Sequence, residues 1–179
     1  MRAMPSALTS ELLYKRALHY LERYAASSAG LRAVLQRSIK RHERRSEEIP
    51  AQAGQWIENV ISKLQQAGYL NDKAFAETKL VSLRRAGNST QKIRQKLMLK
   101  GVESGLMDEV LAADESNDRQ AAIAFARRRR LGPFATTRRD ELRDKHLAAL
   151  ARAGFALSLA RQIINAPDAD TLLEMDEDC

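Results

Sequence analysis

Two stretches of the chain repeat one another. Leu97-Met-Leu-Lys-Gly101-Val102, with Leu106, Val110 and Leu111 behind it, returns at a constant offset. The second copy is Leu150-Ala-Arg-Ala-Gly154-Phe155, followed by Leu159, Ile163 and Ile164. A register kept over so many positions marks a duplicated supersecondary unit, and a repeat constrains architecture before local propensity does. The unit reads as a helix stopped by a left-handed glycine, a short link, and a second helix with apolar residues at i, i+4 and i+5. One such unit encloses no pocket; several in tandem present helical surface. That points to a binding protein rather than an enzyme.

Strand formers are scarce in runs, while Ala, Leu, Arg, Lys, Glu and Gln dominate, so the expected class is all-α. Apolar residues make up 44% of the chain and aromatics 5%, so the core must be aliphatic. The pattern predicts tandem three-helix repeats forming an elongated array, curved on the resemblance given below. The first module spans 11–70 with an insertion at 40–54, the second 71–115 and the third 118–166; an acidic, disordered tail follows at 167–179. In the first, Glu11–Ala26 is one helix, Ser27 or Ser28 caps the next, and Gly68 closes the third. Asn71 or Asp72 opens the second module, and Asn88 with Gln91 has capping-box spacing ahead of Ile93 and Leu97. Asp118 opens the third. Its first helix is expected to stop at Leu131-Gly132-Pro133, with Arg129-Arg130-x-Gly132 matching Arg84-Arg85-x-Gly87.

Several function classes drop out. Met1–Ser10 has no secretory apolar region, and no run is long enough to span a bilayer, so the chain is expected in the cytoplasm. The one cysteine, Cys179, cannot form an intramolecular disulfide, and His19, His42 and His146 lack metal-ligand spacing. The net charge is +7, but six of the 23 carboxylates follow Pro167 and no base follows Arg161. Residues 1–167 therefore carry +13, a body suited to polyanions or acidic protein surfaces.

Glu11 to Ala166 resembles the RecX family of bacterial recombination regulators. The most specific stretch is Leu64-Gln-Gln-Ala-Gly68-Tyr69-Leu70-Asn71-Asp72 with Phe75-Ala76. It continues through Arg84-Arg85-x-Gly87-x-Ser89, Ile93-Arg94-Gln95-x-Leu97 and Lys100-Gly101-Val102. The segment Arg23-Tyr24 to Val34-Leu35 is similar to a variant first module. Where the commoner family pattern has Gly, this chain has Ser38, and the insertion 40–54 replaces a short link. The resemblance implies a crescent-shaped, monomeric, cofactor-free modulator in recombination, DNA repair and the SOS response. Its expected partner is the RecA recombinase filament, which it would inhibit; the +13 body separately suggests weak single-stranded or double-stranded DNA binding.

Candidate contact residues are cationic. Lys92, Lys96 and Lys100 recur at i, i+4, i+8 beside the Ile93/Leu97 seam, with Arg94 on the other flank. Arg84 and Arg85 join them, as does Arg127-Arg128-Arg129-Arg130, with Arg138 and Arg139 nearby. Each group also has a plain reading, as a solvated face or as cations favoured near a helix C-terminus. Tyr14, Tyr20, Tyr24, Tyr69, Trp56 and the phenylalanines read as core rather than a stacking platform. Gly87-Asn-Ser-Thr-Gln-Lys92 lacks the second glycine of a phosphate loop, and no serine stands in a nucleophile elbow. The alternative function is direct, largely sequence-independent DNA binding through helix-turn-helix modules. Against it, no module has a helix N-terminus rich in base-reading side chains.

Overall fold

The computed structural model describes residues 7–45, 48–114 and 117–172, and among them every regular element is helical. The helices are α1 (Ser10–Leu21), α2 (Ser28–Glu43), α3 (Ala53–Gln66), α4 (Asp72–Arg85), α5 (Thr90–Leu99), α6 (Ser104–Ala112), α7 (Asp118–Arg129), α8 (Arg143–Arg152) and α9 (Leu157–Asn165). They form three successive triplets. A 3-10 turn, Gly132–Phe134, lies between α7 and α8.

Short polar side chains set the helix starts. Thr9, Ser27, Asn71, Ser89 and Asn117 each accept a hydrogen bond from the backbone N–H three residues on, at 3.0–3.2 Å. This satisfies one of the four N–H groups that a helix start leaves without a partner. The cap of α5 is thus Ser89, not the expected Asn88; the Asn88 amide instead donates to the Leu83 carbonyl. α1 ends at Leu21 rather than Ala26, because Ser27 must be extended (φ −77°, ψ 162°) to cap α2.

The chain divides into two compact units at Ala76/Glu77, with Lys100–Val102 belonging to the first. In the first unit α1, α2 and α3 surround an aliphatic core of Leu13, Leu31, Leu35, Ile57, Val60, Ile61 and Leu64. In the second unit α7, α8 and α9 surround Ala122, Ile123, Leu150, Phe155, Ile163 and Ile164. The folded chain extends past Ala166, where sequence reading placed a tail. Asp168 caps a further helical turn through Thr171 N–H, and Leu172 is 2% exposed in the second core. The remainder of the tail expectation, 173–179, lies outside the described residues.

One joint occurs twice. In the first unit the Ser27 hydroxyl donates to the Lys100 carbonyl, and Ser28 N–H is held by the Asp72 carboxylate at 2.6 Å. In the second, the Ser89 hydroxyl donates to the Ala153 carbonyl at 2.8 Å, and Thr90 N–H is held by Asp118 at 2.7 Å. Each joint clasps the start of one triplet's middle helix to two points of the next triplet: the first residue of its first helix and the end of its middle helix. Partly buried backbone groups at both ends find partners at once. The duplicated glycines follow those carbonyls at φ +73° (Gly101) and +88° (Gly154), and a Cβ there would meet Ala29 Cβ at 2.3 Å or Ser89 Oγ at 2.6 Å. α8 breaks the series: it starts after Leu142 with no side-chain cap.

Candidate functional site

A groove of about 760 Å³ opens in the second unit, floored by Gly87, Phe125, Leu131, Ala149 and Ala153. Lys92 and Lys96 reach it from α5, Arg128 and Arg129 from α7, and Arg152 from α8. No carboxylate lines it among the described residues. Five cations therefore border an apolar floor with nothing acidic between them.

The cations are held in place. Phe125 packs edge-on against Phe155, with ring centroids 5.9 Å apart. The Arg128 and Arg129 guanidinium carbons lie 5.9 and 5.7 Å from the Phe125 centroid, within cation–π range. Lys96 Nζ donates to the Asn88 side-chain oxygen at 2.7 Å. Guanidinium forks above a low-dielectric floor suit carboxylate or phosphate oxygens, which they can grip in pairs.

The predicted contact residues part company here. Lys92, Lys96, Arg128 and Arg129 come together. Lys100, Arg85, Arg127 and Arg130 are exposed but do not line the groove. Arg94 is paired with Asp108 at 2.6 Å. Arg84 has to be withdrawn as a contact residue. Its side chain is 10% exposed and bridges Asp114 at 2.7 Å and Asp118 at 2.6 Å, while also donating to Thr90 Oγ1 at 2.7 Å. It braces the second joint. Arg139 is likewise engaged, donating to the carbonyls of Ile164, Ala166 and Pro167 at the end of α9, and Arg138 pairs with Glu141.

Arg152, Asn88 and Phe125 are not among the contact residues expected from the sequence. A signal for Arg152 existed: it stands in the second repeat copy where Leu99 stands in the first, and both positions are exposed. Phe125 gave none, since a ring on an apolar helix face reads as core. Two tyrosines read as core also prove exposed, Tyr24 at 58% and Tyr69 at 64%.

Comparison with known proteins follows the same lines. Residues 71–111 match the family model described as RecX, second three-helix domain. A Regulatory protein RecX of Myxococcus xanthus is 41% identical over 169 residues, covering 92% of this chain and 90% of that protein. The chain belongs to the RecX family. A second RecX, from Agrobacterium fabrum, is 32% identical and covers 83% of this chain and 79% of its own. Among solved structures, RecX from Lactobacillus salivarius superposes with a TM-score of 0.60 at 16% identity, covering 95% of this chain and 97% of that one. That likeness concerns the fold: helical triplets in tandem, as the repeat predicts. Among the described residues of this RecX chain, no helix is long and apolar enough to cross a membrane, and no group of His, Cys, Asp and Glu is arranged to hold a metal.

Proposed function

We propose that this protein regulates RecA, binding RecA–DNA filaments and lowering recombinase activity through a contact that includes the groove of the second unit. Membership of a family of regulatory proteins supports the class of function. The single observation that supports the site is the carboxylate-free ring of Lys92, Lys96, Arg128, Arg129 and Arg152 over an apolar floor. The attraction comes from the cations, and shape and apolar contact supply the selectivity. On this reading the protein works in the cytoplasm as a monomer, without catalysis or cofactor.

The experiment is ATP hydrolysis by RecA on single-stranded DNA with increasing amounts of this protein. A filament regulator acts at much less than one copy per RecA subunit, because it stops growth or caps ends. A protein that merely competes for DNA must coat the lattice. Replacing Lys92, Lys96, Arg128 and Arg129 with Gln removes charge while nearly preserving helix propensity. Inhibition is expected to fall at least tenfold in potency with the melting temperature held. Inhibition only at DNA saturation would favour direct DNA binding, and an unchanged dose curve for the fourfold variant would move the contact elsewhere.

A further inference from the structure

The first unit carries a groove of its own, about 550 Å³, between α1 and α2. Lys15, Arg16, His19 and Arg23 come from α1 and the residues just after it, and Arg37 and Arg41 from α2. Arg37 and Arg41 stand about one turn, roughly 6 Å, apart along the α2 axis, and Lys15 and His19 are spaced alike along α1, with Arg23 just past its end. Cations thus line the groove from both helices. None of the described lining residues is acidic. Glu11 and Glu22 pair with Lys15 at 2.7 Å and with His19 at 3.5 Å, and Arg16 donates to Ser38. Arg23, Arg37 and Arg41 form no ion pair among the described residues.

Two rings line the same groove. Tyr20 and Tyr24 have centroids 5.1 Å apart at an interplanar angle of 38°. Tyr20 is half-buried and fixed by the α1 core contacts, whereas Tyr24 is 58% exposed. A large ring held in water beside six basic groups does not serve the core, where the sequence had placed it. A groove lined by cations that also presents an exposed aromatic face is what an unpaired nucleic-acid strand requires. Phosphates meet the cations, and a base stacks on the ring whatever its identity. An acidic peptide would use the same cations but has no need of the exposed ring. A duplex keeps its bases stacked on each other and cannot offer one.

We propose that the α1–α2 groove is a binding site for single-stranded nucleic acid, with one base stacked on Tyr24 and the flanking phosphates on Arg23, Arg37 and Arg41. The site goes beyond the recombinase reading and stands without it, since its test contains no recombinase. The full chain is titrated into a short, fluorescently labelled oligothymidylate and followed by anisotropy, with duplex DNA and oligoglutamate as competitors. Tyr24→Ala should weaken binding about tenfold, within the loss expected for one stacked base. Tyr24→Phe should bind like wild type. Arg37→Gln with Arg41→Gln should flatten the plot of log affinity against log salt by roughly 0.7 for each phosphate that is no longer neutralised. Melting curves of the exposed-site variants should match wild type. Wild-type affinity in Tyr24→Ala would overturn the proposal, as would oligoglutamate displacing the strand at equal charge, which would make this an acidic-peptide groove. An unchanged salt slope in the arginine variant would remove the phosphates from these two residues and overturn it too.

Discussion

Gly101 and Gly154 carry two constraints in one position: a left-handed backbone, and contact with the joint. Gly68, also left-handed at φ +75°, has nothing within 4 Å of where a Cβ would stand. The three positions therefore separate conformational strain from crowding. Gly68→Ala should destabilise by about 1 kcal/mol, the backbone share alone. Gly101→Ala and Gly154→Ala should exceed it by about 1–3 kcal/mol, the range for forcing extra volume into packed surroundings. Urea denaturation of the three variants checks this; equal losses at all three would mean the joints yield without cost. His146 makes a different prediction. It is buried, and its Nδ1 accepts from Gly132 N–H at 3.1 Å. Burial holds its pKa below the usual histidine value, so the folded state keeps it neutral. The unfolded chain binds the proton first, so this contribution is complete above the unfolded pKa of about 6.5 and is lost as pH falls through the folded value. Between pH 7 and 5 the urea midpoint of wild type should fall more steeply than that of His146→Gln. Parallel curves would show that the ring contributes no such linkage.

At the scale of elements, the glycine stops were legible because a left-handed residue leaves a compositional mark. Gly68, Gly87, Gly101 and Gly154 all take positive φ. The stop of α7 was misplaced for the converse reason. Arg130, not Gly132, ends it at φ 55°, with Arg130 N–H on the Arg127 carbonyl and Leu131 N–H on that of Ala126. The structural counterpart of Gly87 is thus an arginine, and nothing in an arginine announces that conformation. Arg130→Gly should stabilise the second unit by about 1 kcal/mol, read as a rise in melting temperature. A drop would mean that the arginine stem covers core surface worth more than the backbone strain. The candidate groove was only half legible. Charge at helical spacing found Lys92, Lys96 and the arginine run, but which of those charges face one another depends on how α5, α7 and α8 meet. Arg84 shows the limit most plainly. Its carboxylate partners lie 30 and 34 residues further along the chain, so adjacency to Arg85 said nothing about its burial.

For the molecule as a whole, charge is segregated along the chain. Residues 1–167 carry +13, both grooves are lined by cations, and four carboxylates, Glu174, Asp176, Glu177 and Asp178, follow the buried Leu172. At physiological salt, charges act over about 8 Å, so acidic side chains near the basic surface compete with any polyanion for it. A chain ending after Leu172 keeps its core contact and loses those four charges. It should elute from heparin at higher salt than the full chain and melt at the same temperature. Identical elution would show that the acidic residues stay away from the cations.

The twice-used joint has a direction. Each clasp needs a serine at the start of a middle helix on one side. On the other it needs an aspartate and a free helix-end carbonyl before glycine. α2 and α5 supply the serine; α8, preceded by Leu142 and uncapped, does not. The third triplet is therefore received by the second but offers no such serine to a further one. A serine ahead of α8 would give the third triplet the donor that Ser27 and Ser89 give the first two, and losing Ser89 would undo the second clasp.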